Sequence, residues 1–91
     1  MILHLIQKSP FTSNTLAECM TKTESDDAIL LMHDGVYGIH HPEITQTSIK
    51  IFALSDDLNA RGLKIESSHI QPISYDEFVE LCTQYESSIS W

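Results

Sequence analysis

Two thiols and five imidazoles are the groups of this chain best suited to chemistry, set in a chain with a large surplus of carboxylates. Cys19 comes first, because a thiolate is the strongest nucleophile these residue types offer. A reactive cysteine needs an electropositive setting that lowers its pKa. Here Glu18 is adjacent and Lys22 is the only nearby cation. Thr15-Leu-Ala-Glu18 has capping-box spacing and predicts a helix from about Leu16 to Lys22. Leu16, Cys19 and Met20 then share one stripe, which reads as a core-facing cysteine. Cys82 falls on the stripe of another predicted helix with Phe78, Leu81 and Tyr85 and reads as packing.

The histidines do not have metal-ligand spacing. His40 and His41 are adjacent, His33 lies seven residues before His40, and neither Cys-x-x-Cys nor His-Glu-x-x-His occurs. No metal and no cofactor are expected. His4 alternates with Ile2 and Ile6 and reads as a hydrogen-bonded core or interface histidine. His33-Asp34-Gly35 follows an apolar run, where a parallel strand would end and where α/β sheets bind ligands, although Asp-Gly is also a turn signal. There is no glycine-rich phosphate loop and no Gly-x-Ser-x-Gly elbow. Asp56 and Asp57 read as helix-start residues, following Ser55 as a cap.

The elements that must position these groups are short and alternate. Met1–Gln7, Ala28–Met32 and Lys50–Leu54 are nearly continuous apolar runs, as expected of strands covered on both faces. Pro10 stops the first, and Thr21–Asp27 reads as a polar loop. Val36–His40 predicts a turn or short helical piece. Gly62 after Arg61 reads as a left-handed helix end, and Leu63–Ile65 or Ile70–Ile73 supplies another strand. Ser74-Tyr-Asp-Glu77 is a second capping box, with Ile73 and Phe78 as a hydrophobic staple. Glu86–Trp91 reads as a short tail whose Trp91, with Tyr85, packs on the domain or on a partner. Strands alternating with helices predict one α/β domain over residues 1–91, with four or five mostly parallel strands and helices on both faces.

Ninety-one residues make one domain with a thin core. The formal charge of −8 argues against direct contact with nucleic acid or an anionic membrane. No apolar run is long enough to span a bilayer and none has the pattern of a signal peptide, so free thiols in a reducing cytoplasm are expected.

Taken in order, several segments resemble the DsrH/TusB family: Ile2-Leu-His4 leading to Lys8-Ser-Pro-Phe11; Leu30-Leu-Met-His-Asp-Gly-Val-Tyr-Gly38; Ala53-Leu-Ser-Asp-Asp-Leu-Asn-Ala-Arg-Gly-Leu63; and Ile73-Ser-Tyr-Asp-Glu-Phe-Val-Glu-Leu81 with Ser90-Trp91. The resemblance implies a three-layer DsrE/F/H-like α/β fold. It further implies a heterohexamer with TusC-like and TusD-like subunits, which passes persulfide sulfur from a TusA-like carrier toward a TusE-like partner for 2-thiolation of the tRNA wobble uridine. The alternative branch is a DsrH-type subunit of a DsrEFH-like complex in sulfur oxidation. In such complexes the main sulfur-accepting cysteine belongs to the D (or DsrE) subunit. Some DsrH-like members carry a cysteine at the position of Cys19, which makes Cys19 a candidate persulfide carrier as well as a candidate core residue. Three readings follow: a scaffolding subunit with Cys19 at most auxiliary, a sulfur carrier in its own right, and a free-standing α/β domain binding a ligand near His33 and Asp34.

Overall fold

A computed structural model describes residues 1–91. Five strands, β1 (Ile2–Ile6), β2 (Ala28–Leu31), β3 (Lys50–Leu54), β4 (Ile70–Ile73) and β5 (Ser87–Ser90), form one parallel sheet in the order β4-β3-β2-β1-β5. The central strands β2 and β3 are buried along almost their whole length, as their unbroken apolar sequences require.

Topology decides which face each helix covers. The chain lays down β1 to β4 in one direction across the sheet, then returns over it to place β5 beside β1. Crossovers between parallel strands are right-handed, so connections running one way pack on one face and the returning connection packs on the other. Helix α1 (Thr15–Lys22), a 3-10 helix (His33–His40), α2 (Pro42–Thr45) and α3 (Ser55–Ala60) accordingly crowd one face. They close a core of thirteen buried residues that includes Ile6, Leu16, Cys19, Ile29, Leu31 and Ile51. The opposite face has α4 (Tyr75–Cys82) alone, over a core of seven that includes Leu3, Leu30, Phe52 and Ile73.

Local signals decide the element ends, with differences from the sequence reading. Ser74 and Glu77 form the expected reciprocal capping box. Ile73 and Phe78 both join the α4-side core, as a staple requires. The Thr15–Glu18 box does not form: Thr15 is already helical, Asn14 precedes it, and no side chain caps the helix. Ser55 likewise stands inside α3, not before it, and caps nothing. The tail is a strand. β5 pairs with β1 from Ile2–Ser87 to Leu5–Ser90, and Trp91 N–H continues the ladder to the Leu5 carbonyl. Gly62 is left-handed, with φ of 65°. At Gly35 a Cβ would run into the carbonyl of Ile6, so only glycine lets the 3-10 helix pass so close to β1.

Candidate functional site

Cys19 lies on the inner side of α1 and is fully buried among apolar residues. Its Sγ is 3.5 Å from Thr23 Oγ1, whose hydroxyl donates to the Cys19 carbonyl at 2.7 Å. Burial pushes the thiol above its ordinary value, and the Asp27 carboxylate adds to this, while the Thr23 contact opposes it. None of the four surface cavities is lined by Cys19. Cys19 Sγ is thus closed off from these cavities, and burial disfavours its thiolate.

Near Cys19 is a polar group that the residue pattern did not mark. Asp27, read as a loop residue, is buried and collects three bonds: the Ile2 N–H to Oδ1 (2.9 Å), the Glu24 N–H to Oδ2 (3.0 Å) and His4 Nε2 to Oδ2 (3.0 Å). Burial alone would raise its carboxyl, but the Glu24 N–H, His4 and the Ile2 N–H together hold it below the usual carboxylate range. On the far side of the ring, Trp91 Nε1 lies 3.0 Å from His4 Nδ1. An indole N–H can only donate, so Nδ1 is the acceptor and the proton of the neutral ring sits on Nε2, facing Asp27. His4 is thus the buried, hydrogen-bonded histidine its alternation implied. Trp91 packs on the body of the domain, against the core that contains Cys19. The chain Asp27–His4–Trp91 ties the start of β2, the middle of β1 and the end of β5 together. It is a structural clamp with every nitrogen used, and it leaves no free base.

The segment His33-Asp34-Gly35 does lie at the carboxyl end of β2, with its Asp34 carboxylate and His33 N–H engaged and the His33 ring exposed. Arg61 donates from Nε (3.1 Å) and Nη2 (2.9 Å) to Asp34 Oδ1 and lies 3.5 Å from Asp57 Oδ1. Asp34 in turn raises the Arg61 pKa. Asp57, read as a helix-start charge, also accepts the His33 N–H at 2.7 Å. That bond helps hold His33 at φ of 50°, the one left-handed non-glycine residue. The Arg61 guanidinium stacks over Tyr37 at 5.9 Å. No surface cavity is lined by His33 or Asp34. No three His, Cys, Asp or Glu side chains converge as metal ligands.

What remains open is the α4 face. Helix α4 has no buried residue. Tyr75 and Val79 are 56% and 52% exposed, while Phe78, Leu81, Cys82 and Tyr85 are only partly buried against the sheet. A groove of about 290 Å³ runs beside the helix, with Phe52, Ile73 and Leu81 as its apolar wall and Glu77 and Glu80 at its edge. The sequence showed the amphipathic stripe but not that one helix would be alone on its face. No helix is long and apolar enough to cross a membrane.

Comparison with known proteins agrees with this geometry. The family model described as DsrH like protein matches residues 8–88. Protein TusB of Serratia proteamaculans (strain 568) is 38% identical over 99% of this chain and 100% of its own length. Protein TusB of Escherichia coli O139:H28 is 33% identical over the same shares. Among solved structures, the solution NMR structure of protein Tm0979 from Thermotoga maritima is similar with a TM-score of 0.73 and 28% identity, covering 94% of this chain and 95% of that one. With matches of this extent in both sequence and fold, the chain belongs to the DsrH/TusB family.

Proposed function

We propose that this chain is the B-type subunit of a TusBCD-like complex that relays persulfide sulfur for 2-thiolation of the tRNA wobble uridine, and that it holds partners together and does not carry sulfur. The likeness to Protein TusB along the whole chain supports the thiolation branch over a DsrH-type role in sulfur oxidation. TusC-like and TusD-like subunits would be its direct neighbours, with TusA-like and TusE-like carriers reaching the complex through them. Two free cysteines are consistent with a reducing cytoplasm.

The observation that carries the scaffolding part is the burial of Cys19. Sulfur transfer requires a thiolate to attack the outer sulfur of the donor persulfide, expelling the donor thiolate. A thiol closed under α1, with its pKa pushed up by burial, is poorly placed for either half of that exchange.

The test is Cys19→Ser in the chain co-expressed with its C-type and D-type partners, with Cys19→Val beside it to keep the site filled and apolar. Assembly should be retained, and single-turnover sulfur transfer should stay within a few-fold of wild type. Loss of a true nucleophile costs several powers of ten. A fall on that scale in an assembled complex would make this subunit a carrier.

A further inference from the structure

A β-sheet face needs cover along its whole width, and here the return crossover supplies one eight-residue helix for the face that carries α4. That helix packs Phe78, Leu81 and Cys82 onto a core that includes Leu3, Ala28 and Leu30. Beside it the groove runs over Phe52, Gln71 and Ile73 of β3 and β4, with Phe52 and Ile73 themselves buried. Its edge is acidic. Glu77 Oε1 accepts the Ser74 N–H, while Glu80 makes no ion pair within the chain. Asp76 adds to the charge of this segment, Glu86 pairs with the N-terminal ammonium, and no Lys or Arg follows Lys64 in the sequence. Lys50 lines a neighbouring hollow with Phe52 and Gln71.

We propose that this groove is the docking site for a different protein subunit, one that inserts an apolar side chain flanked by lysine or arginine. The proposal rests on the subunit reading above and adds the surface and the chemistry of its occupant. Apolar contact supplies the area, and the acidic edge selects the partner: like charges facing each other at an interface are strongly unfavourable, and opposite ones fix both register and rate of encounter. A second copy related by a two-fold axis would bring Glu77 and Glu80 against their own equivalents, with a single lysine per copy to offset them. The face thus rejects its own kind and accepts a basic partner.

The experiment measures affinity between the full chain and its co-purified C-type and D-type subunits for wild type, Glu80→Lys and Val79→Asp, with Glu43→Lys on α2 of the opposite face as control. Both α4 substitutions are at exposed positions, so the fold should survive, which circular dichroism checks. The expected result is a loss of about tenfold or more for Glu80→Lys. A comparable loss is expected for Val79→Asp, with no change for Glu43→Lys and wild-type binding that weakens as salt rises. Wild-type affinity in both α4 variants, in a complex that still forms, overturns the groove assignment and leaves the subunit reading standing. Failure of the wild-type chain to bind those subunits at all overturns both. A wild-type homodimer in solution that Glu80→Lys tightens or dissolves places a second copy in the groove and overturns the choice of occupant.

Discussion

The two faces of the sheet divide the work of the molecule. On one, four helical segments close thirteen residues into a core, with a thiol and the Asp27–His4–Trp91 chain near its β1–β5 side. On the other, one helix with no fully buried residue leans on a core of seven. The chain has one cysteine on each: Cys19 inside the first, Cys82 partly buried on the second. The thiol that the sequence singled out therefore lies buried on the closed face.

The largest expected contrast is in stability. Leu31→Ala removes a fully buried side chain from the closed core and should cost about 3 kcal/mol in denaturant unfolding of the isolated chain. Val79→Ala on exposed α4 should change stability by less than about 0.5 kcal/mol. Equal costs would erase the distinction between the faces.

Asp27→Asn should be the next largest effect, about 2 kcal/mol, because the amide cannot satisfy the Ile2 and Glu24 N–H groups and the His4 N–H as the carboxylate does. The Asp27 pKa is lowered in the fold. Its contribution is therefore fully present above the ordinary carboxyl value and is lost as pH falls through the lower folded value. In wild type the stability curve should drop below about pH 4, and in Asp27→Asn that part of the drop should be absent.

Thiol reactivity sharpens the comparison further. Cys82 should alkylate in the native chain at least about tenfold faster than Cys19, whose ionised form burial disfavours. The raised Cys19 pKa also works on stability in the direction opposite to Asp27: its contribution is present below the ordinary thiol value and is lost as pH rises through the folded one. A smaller effect than that of Asp27→Asn is expected at the other end of the clamp. Trp91→Phe keeps the apolar ring and removes the N–H to His4, so it should cost about 1 kcal/mol and speed hydrogen exchange mainly at the amides joining β5 to β1.

Much of the closed face was legible in the sequence, and much of the rest was not, for physical reasons. The apolar runs Met1–Gln7, Ala28–Met32 and Lys50–Leu54 read as buried strands, and the structure places β1, β2 and β3 within them. Ser74 with Glu77 and the Arg61–Gly62 pair mark helix ends by local chemistry that tertiary contacts did not override. β5 escaped notice because Ser87-Ser-Ile-Ser90 is a polar edge strand held by the backbone of β1, at the other end of the chain, and by the adjacent Trp91, which bonds His4. Asp27 was hidden for a similar reason: nothing local distinguishes an aspartate that turns inward to His4 from one that faces water, and its neighbour Asp26 is exposed. Thr15–Glu18 had the spacing of a capping box, yet the helix begins one residue earlier and the motif loses its register. The stripe that put Cys19 inward was correct in geometry, and the burial of that thiol required the sheet behind it.

The proposed role, holding a sulfur relay together without bearing the sulfur, has a direct chemical readout. The most direct measurement is intact and peptide mass spectrometry of the assembled complex after loading from a persulfide donor, without reductant. The account predicts an added sulfur atom on a cysteine of the D-type subunit and none on Cys19. A stoichiometric persulfide on Cys19 that is discharged when the acceptor protein is added would contradict it.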